Sequence, residues 1–381
     1  MGKPAVAIAG CGAVSAVGSG LEPLRNALRH NLRGLQASKK FDSPRFQSNV
    51  VGAAPREVED ADPAWGLASE ALRQAGVAAK TIKASAKKTG LILSTTKANI
   101  EALELISAGR PCSKNARRHL QANLLAEDLA KEFWAHGPVQ TVSVACVSGL
   151  VALWQGVKLI QRGAAEVVYV VGVDCLSEFV VAGFTALKAI DPLGCRPFDA
   201  GRCGLSPGEA SAAVVLARAD LVARPAITLR GFGGSNDANH LTGPSRDGSG
   251  LAQAIRTALD SAKLSPAEID FVHAHGTGTS YNDAMESLAL KTIFGEACPP
   301  VSGAKGMLGH TLGAAGVIET IICVLALQER FFPGTPGLVN PAEGVPKSLV
   351  REARPAERLK QVLKLNTGFG GMNGALILSH E

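Results

Sequence analysis

Residues 140–162 read QTVSVACVSGLVALWQGVKLIQR, and residues 300–328 read PVSGAKGMLGHTLGAAGVIETIICVLALQ. In each stretch a short run rich in β-branched residues breaks at small residues and passes into a long apolar segment of helical period. What flanks them also repeats, in pattern rather than identity. Upstream of the first lie PAVAIA (4–9), opening onto GCGAVS, and GLILST (90–95). Upstream of the second lie PAITLRGF (225–232), opening onto GGSND, and EIDFVHAHG (268–276). Two apolar strands close each half: EVVYVVGV (166–173) with ASAAVVLA (210–217), then QVLKLN (361–366) with GALILS (374–379). Strand-length apolar runs alternating with helical-period segments argue for a layered α/β protein. Two such halves predict helix–sheet–helix–sheet–helix layering, with the helices over 147–162 and about 311–328 sandwiched centrally. The boundary falls near Asp220–Pro225, giving halves 1–222 and 223–381. Segments 35–64, 108–126 and 191–209, rich in Pro, Gly and charge, read as loops or insertions.

Composition narrows the function classes. A chain of 381 residues with 39 Lys+Arg against 33 Asp+Glu is only mildly basic, and the excess is too scattered to argue for nucleic acid. Two polar segments, with Lys83, Lys87 and Lys88 and with Lys114, Arg117 and Arg118, could each dock an acidic partner. The eight cysteines show no CxxC pairing and read as reduced thiols of a cytosolic protein. Glycines at 10, 12, 18 and 20 break the apolar core a signal peptide needs. Asp174, Glu178, Lys188 and Glu319 interrupt the most apolar later stretches, so no membrane span is expected.

The chemistry concentrates at four places. Cys146, in VSVACVSG, sits where a strand breaks into a helix, so backbone N–H groups and the macrodipole would favour its thiolate and lower its pKa. A small buried cysteine closing a helix–strand contact is the alternative. His273 and His275, in VHAHGTGTSYNDAMES, could bind metal as an HxH pair, but no HExxH or Cys/His cluster completes such a site. His275 at the strand's C-terminal tip fits an acid–base or hydrogen-bonding role better. Asp283 and Glu286, three apart on the following helix, would pair with local donors. Lys305 and His310 lie in a turn that the repeat places opposite Cys146, so pseudo-symmetry would bring both turns together. In GFGGMN (368–373) the glycines alone explain a tight turn between the closing strands. Phe369 can also act as a movable gate there, with its N–H donating to an oxyanion. Neither GCGAVS nor GHTLGAAG satisfies a nucleotide-binding motif.

Taken together these motifs resemble the β-ketoacyl-[acyl-carrier-protein] synthases of the KAS I/II branch of the thiolase superfamily. ACVSG resembles the nucleophile motif, HAHGTGT the first His motif, and AKGMLGHTLGAAG the Lys/His motif. NTGFGGMN resembles the terminal Gly loop. CRPFDAGRCGLSPGEASAAVVLA is similar to the segment joining the halves, and SNDANHLTGP to a second active-site loop carrying His240 and Thr242. The resemblance implies the five-layer αβαβα thiolase fold, a dimer, and decarboxylative Claisen condensation without metal or cofactor. It makes Cys146 the acyl-accepting nucleophile, and His275 and His310 the donors to the malonyl thioester oxygen. Lys305 becomes their support, with Glu286 as its ion-pair partner. The N–H groups of Cys146 and Phe369 would form the oxyanion hole, and Phe184, Phe369 and Val147 would line or gate the acyl pocket. The implied partners are acyl and malonyl forms of an acyl-carrier protein and a second subunit, identical or related.

The chain departs from the family in four places. Val147 replaces a small polar residue, NTGFGG is one residue shorter than NSFGFGG, GLSPGEAS replaces GFVMGEGAG, and the 95–125 region is short. These changes favour a specialised lipid or polyketide pathway. Three related types compete. A chain-length-factor subunit normally lacks the nucleophile, a starter enzyme of the KAS III type has Asn in place of His310, and a thiolase needs a second cysteine in the C-terminal Gly turn. A carrier-binding module without catalysis would not need the nucleophile set.

Overall fold

Ten strands form the framework: β1 (Val6–Ser15), β2 (Thr89–Ser94), β3 (Val139–Val142), β4 (Val167–Asp174), β5 (Ala210–Arg218), β6 (Ile227–Asn236), β7 (Phe271–His273), β8 (Val301–Ser302), β9 (Gln361–Gly368) and β10 (Met372–His380). The structure, a computed structural model, describes residues 3–56, 62–82, 84–222 and 227–380. The strands of the first half lie in the order β3-β2-β4-β5-β1, and those of the second in the order β8-β7-β9-β10-β6. Adding five to each first-half number gives the second, so the two sheets share one topology. The senses agree as well: β3-β2-β4 and β8-β7-β9 are parallel, whereas β5 and β10 run antiparallel to both neighbours. One antiparallel pair, Ala7 with Thr228, joins the sheets edge to edge.

Seven helices complete the layers: α1 (Pro63–Ala78), α2 (Ala122–Glu132), α3 (Ser148–Gln161), α4 (Glu178–Ala186), α5 (Ser249–Ala262), α6 (Ser280–Phe294) and α7 (Ala315–Glu329). Three apolar cores separate the layers. One lies between α1, α2 and the outer face of the first sheet, and another between α5, α6 and the outer face of the second. The third surrounds α3 and α7 between the sheets. Residues 315–327 of α7 are all buried, as expected of a helix apolar all round. Leu312–Glu329 has mean hydropathy 1.6 and the length to cross a membrane, yet 89% of it is buried inside the molecule, where it serves as the core helix.

The central helices cross where neither has a side chain. A Cβ on Gly149 would lie 2.7 Å from Val317 N, and one on Gly316 would lie 2.5 Å from Leu150 N. Each glycine is the second residue of its helix, so the contact obeys the pseudo-twofold. Ala145 (φ 45°) and Leu312 (φ 51°) each stand three residues before α3 and α7 begin. Left-handed backbone at a non-glycine residue costs about 1–2 kcal/mol. It persists at both turns because the strand before and the helix after fix the chain direction.

Several expectations change. GCG does not open a turn: β1 continues through it to Ser15, because α1 lies directly on this strand. Cβ atoms at Gly10 and Gly12 would come within 2.3 Å of Ala75 O and 2.2 Å of Ala71 O. GGSN likewise belongs to β6, packed on α5, while Pro225 and Ala226 fall outside the described residues. Residues 268–276 yield strand only over Phe271–His273, since the chain turns away at the histidine loop. Segment 108–126 holds a short helix, Lys114–Arg118, and the start of α2. Segment 35–64 holds a two-residue strand pair and the start of α1, and 191–209 is irregular. Residues 57–61, Lys83 and the inter-half residues 223–226 lie outside the described residues.

Candidate active site

Cys146 lies two residues before α3, at the end of the turn forced by Ala145, and is only 8% exposed. The turn before α7 brings His310 to it, with Nε2 3.0 Å from the Cys146 Sγ. His275, at the C-terminal end of β7, sets its ring 5.3 Å from that of His310, nearly perpendicular at 82°. The two turns that the repeat related do meet at the centre.

Hydrogen bonds decide the proton positions on both imidazoles. His275 Nδ1 faces two donors, Lys305 Nζ at 3.0 Å and Asn366 Nδ2 at 2.9 Å. It therefore accepts, and the ring proton sits on Nε2. His310 Nδ1 accepts from the Leu312 N–H at 3.3 Å, so it too carries its proton on Nε2. Among the described residues, no carboxylate touches either Nδ1. Burial, then Lys305, holds His310 down to about 3. Burial, Lys305 and His310 hold His275 well below its ordinary value. The site thus presents two neutral N–H donors beside a sulfur.

Cys146 corrects one expectation. Burial pushes its thiol up to about 12, and Lys305 offsets only part of this. Burial of the sulfur thus works against the thiolate that the helix N-terminus favours.

Lys305 corrects another. Its ion-pair partner is Glu319 of α7, with Nζ 2.7 Å from Oε1, and it also donates to the His275 carbonyl at 2.6 Å. Glu286 faces elsewhere and accepts the N–H groups of His275 (2.6 Å) and Gly276 (2.9 Å), fixing the loop that carries the histidine. Burial raises Glu286 to about 7 against those two bonds. Asp283 accepts the Phe198 N–H at 2.7 Å and the Gly278 N–H at 3.2 Å, tying the inter-half segment to the same loop.

Sequence reasoning missed Glu319 and Asn366 as site residues. Asn366 donates to the second Glu319 oxygen at 3.0 Å as well as to His275. The signal for Glu319 was present: it is the one charged residue among the thirteen of Ala315–Leu327, a helix otherwise almost wholly apolar. A buried charge there requires a buried partner.

At the Gly-rich hairpin, a Cβ on Gly368 would lie 3.1 Å from Cys146 N, so the end of β9 rests against the Cys146 amide. Phe369 follows, 40% exposed, with its ring 6.1 Å from that of Phe184. Val147 is buried and fits because Gly368 and Gly374 lack side chains, a Cβ on Gly374 lying 2.7 Å from its Cγ1. His240 and Thr242 are exposed, and His240 Nδ1 accepts the Thr242 and Gly243 N–H groups at 3.1 Å each. Their loop reaches the hairpin through its backbone, where Gly370 donates to Leu241 O at 2.8 Å. His273 does not join His275. Its ring lies edge-on to Phe271, and neither ring nitrogen has a partner among the described residues. The metal-capable group is instead Cys146, His275 and His310, whose ligand atoms all lie within 4.8 Å of one another.

Two family models divide the chain: beta-ketoacyl synthase, N-terminal domain, over residues 3–221, and beta-ketoacyl synthase, C-terminal domain, over residues 227–338. The chain belongs to the β-ketoacyl synthase family. Among curated relatives of this family, it is 34% identical to a putative polyketide beta-ketoacyl synthase 1 of Streptomyces halstedii, covering 98% of this chain and 97% of the relative. It is 30% identical to 3-oxoacyl-[acyl-carrier-protein] synthase 2 of Coxiella burnetii, covering 100% and 99%. Among solved structures, the ishigamide ketosynthase/chain length factor superposes with a TM-score of 0.91 at 30% identity, covering 100% of both chains. These ketosynthase neighbours share the thiolase fold. The family is one of condensing enzymes, and the chain keeps the thiol, the two imidazoles and the lysine that its motifs carry.

Proposed function

We propose that this chain is a β-ketoacyl-[acyl-carrier-protein] synthase of fatty-acid or type II polyketide chain elongation. It would accept an acyl chain on Cys146 and extend it with malonyl-carrier protein. The observation that carries the reading is the tautomer of the two imidazoles. A Cys–His hydrolase needs a base whose Nδ1–H is held by a third group. Here both Nδ1 atoms accept, so His275 and His310 act as donors.

The steps follow from that. In the first, Cys146 S–H exchanges with the carrier thioester: the Sγ–acyl bond forms, the carrier's C–S bond breaks, and the proton leaves with the carrier thiol. The thiolate is the attacking species, and because the carrier thiol takes up the proton the exchange leaves no net charge in the site. Malonyl thioester then places its carbonyl oxygen between the two Nε2–H groups. Its carboxylate leaves as CO₂, and the bond's electron pair forms an enolate that these donors stabilise. The enolate carbon attacks the acyl carbon on Cys146. The resulting oxyanion is held by the Cys146 and Phe369 N–H groups, and collapse expels the Cys146 thiolate, which regains a proton from solvent.

No resident metal or cofactor is part of this scheme. Phe369 and Phe184 gate the acyl pocket, with Val147 narrowing it, and the His240–Thr242 loop backs the gate. The division into halves at 222/223, a cytoplasmic location and a two-subunit assembly, identical or with a chain-length-factor-like partner, belong to the same proposal. The intact nucleophile makes this chain the catalytic member of such a pair. The test is Cys146→Gln, whose amide carbonyl occupies the oxyanion hole in place of the acyl group. It should release CO₂ from malonyl-carrier protein without condensing it, whereas His310→Ala should still be acylated but decarboxylate at least about a hundredfold more slowly. A Cys146→Ala enzyme that still condenses would refute the assignment.

A further inference from the structure

Along β9 successive side chains face opposite sides of the sheet. Val362 joins the central core, and Leu363 and Leu365 join the outer one. Lys364 therefore points inward, toward α7, and is fully buried at 0% exposure. Its Nζ lies 3.0 Å from Glu319 Oε2 and also donates to the Leu365 carbonyl. Lys305 holds the other oxygen, Oε1, at 2.7 Å. One carboxylate thus carries two lysines. Burial works against its ionisation, but Lys305 and Lys364 overcome this and keep Glu319 well below the usual carboxylate range. Burial lowers the Lys364 pKa and Glu319 works against that; counted as ionised, two lysines against one carboxylate leave one positive charge in excess.

Among the described residues, no second anion balances it at contact. The groups facing Lys364 are Glu319 and Cys323 from α7 and, beside it in register, His273 of β7 with Ser302 beyond. Burial pushes the Cys323 thiol up to about 12, and burial and then Lys364 pull His273 down to about 3, so both are neutral. Glu286, farther off, is engaged with the backbone of the His275 loop. An uncompensated charge sealed beneath a reaction centre raises the energy of the resting enzyme. It is compensated when negative charge develops there, which is the condition for lowering a barrier.

We propose that Lys364 is a positioning residue: it clamps the second oxygen of Glu319, aims Lys305 at His275, and adds the positive charge that the enolate neutralises. This rests on the reading of His275 and His310 as the decarboxylation site. Lys364→Met keeps the volume and removes the charge, and Lys364→Gln keeps a donor to Glu319 without the charge. Both should fold, since Glu319 keeps its pair with Lys305 and no buried charge is left without a partner, the situation that makes removal of one member of a buried pair costly. Both should release CO₂ from malonyl-carrier protein about tenfold more slowly, the scale of one charge interaction in protein. KM for malonyl-carrier protein should stay unchanged, and Cys146 acylation, followed by intact mass, should stay within about twofold of wild type. A wild-type rate in Lys364→Met, full recovery in Lys364→Gln, an equal loss of acylation, or failure of both variants to fold would each overturn the role. Wild-type protein that releases no CO₂ would instead overturn the reading of the site itself.

Discussion

The close crossing of α3 and α7 makes Gly149→Ala a direct test of how the fold sets the site. The new methyl would lie 2.7 Å from Val317 N, 2.8 Å from Gly316 Cα and 2.9 Å from Gly316 N, all backbone atoms that no rotamer change can move. Ordinary contact begins near 3.4 Å, so the helices must separate by about 0.7 Å. Overpacking of this kind costs about 1–3 kcal/mol. The higher helix propensity of alanine returns about 1 kcal/mol, leaving a net loss of up to about 2 kcal/mol. The displacement also reaches the chemistry. Cys146 precedes α3 by two residues and His310 precedes α7 by five, so separating the helices stretches their 3.0 Å contact. Urea unfolding and the rate of Cys146 acylation should both decline. Gly183→Ala is the control: Gly183 lies within α4, and a Cβ there meets nothing within 4 Å. It should gain up to about 1 kcal/mol and leave acylation unchanged. If Gly149→Ala is as stable as wild type and acylates at the same rate, the helix contact does not set the site.

Three further expectations follow from burial and charge. Because burial pushes the Cys146 thiol up to about 12, its alkylation by iodoacetamide should still be accelerating at pH 10; a plateau reached near neutrality would mean a thiolate at rest. His119 lies between Asp62 Oδ2 (2.5 Å) and Asp128 Oδ2 (3.3 Å). Burial lowers its pKa, but these carboxylates outweigh it and the folded value is raised above 6.5. That stability is fully present below the unfolded pKa and lost as pH rises through the folded one, so His119→Asn should destabilise more at pH 6 than at pH 9, and equal losses would falsify the pairing. Phe369, 40% exposed, is no core residue, so Phe369→Ala should cost far less than the about 3–5 kcal/mol of a buried Phe while altering chain-length preference; a large fall in melting temperature with unchanged preference would make it structural.

Two side chains of the surface basic clusters have partners of their own. Arg118 is engaged by Asp128 at 2.7 Å, and Lys88 donates to the Gly163 carbonyl at 2.8 Å. Charge counts along the chain give no account of such partners, which come from residues 10 and 75 positions away.

Local periodicity was enough for the strands that close each half and for the two central helices, whose ends fall within a few residues of the expectation. It also placed Cys146, His275, Lys305 and His310 at turns, because small residues and glycines mark where apolar runs stop. What it misread were glycines inside strands. GCG and GGSN resemble turns in one dimension and are contact surfaces in three, since Gly10, Gly12 and Gly233 each lie against a helix carbonyl of α1 or α5.

Charge partners followed the same division. The sequence alone determined which groups are available and that each buried charge needs an opposite one. Only the tertiary structure decided that Lys305 pairs with Glu319 across the crossing of α7, that Lys364 shares the same carboxylate, and that Asn366 turns the His275 proton outward. It also reversed the sign expected for Cys146, because desolvation depends on every layer packed around the thiol, whereas the helix N-terminus is visible from the motif alone.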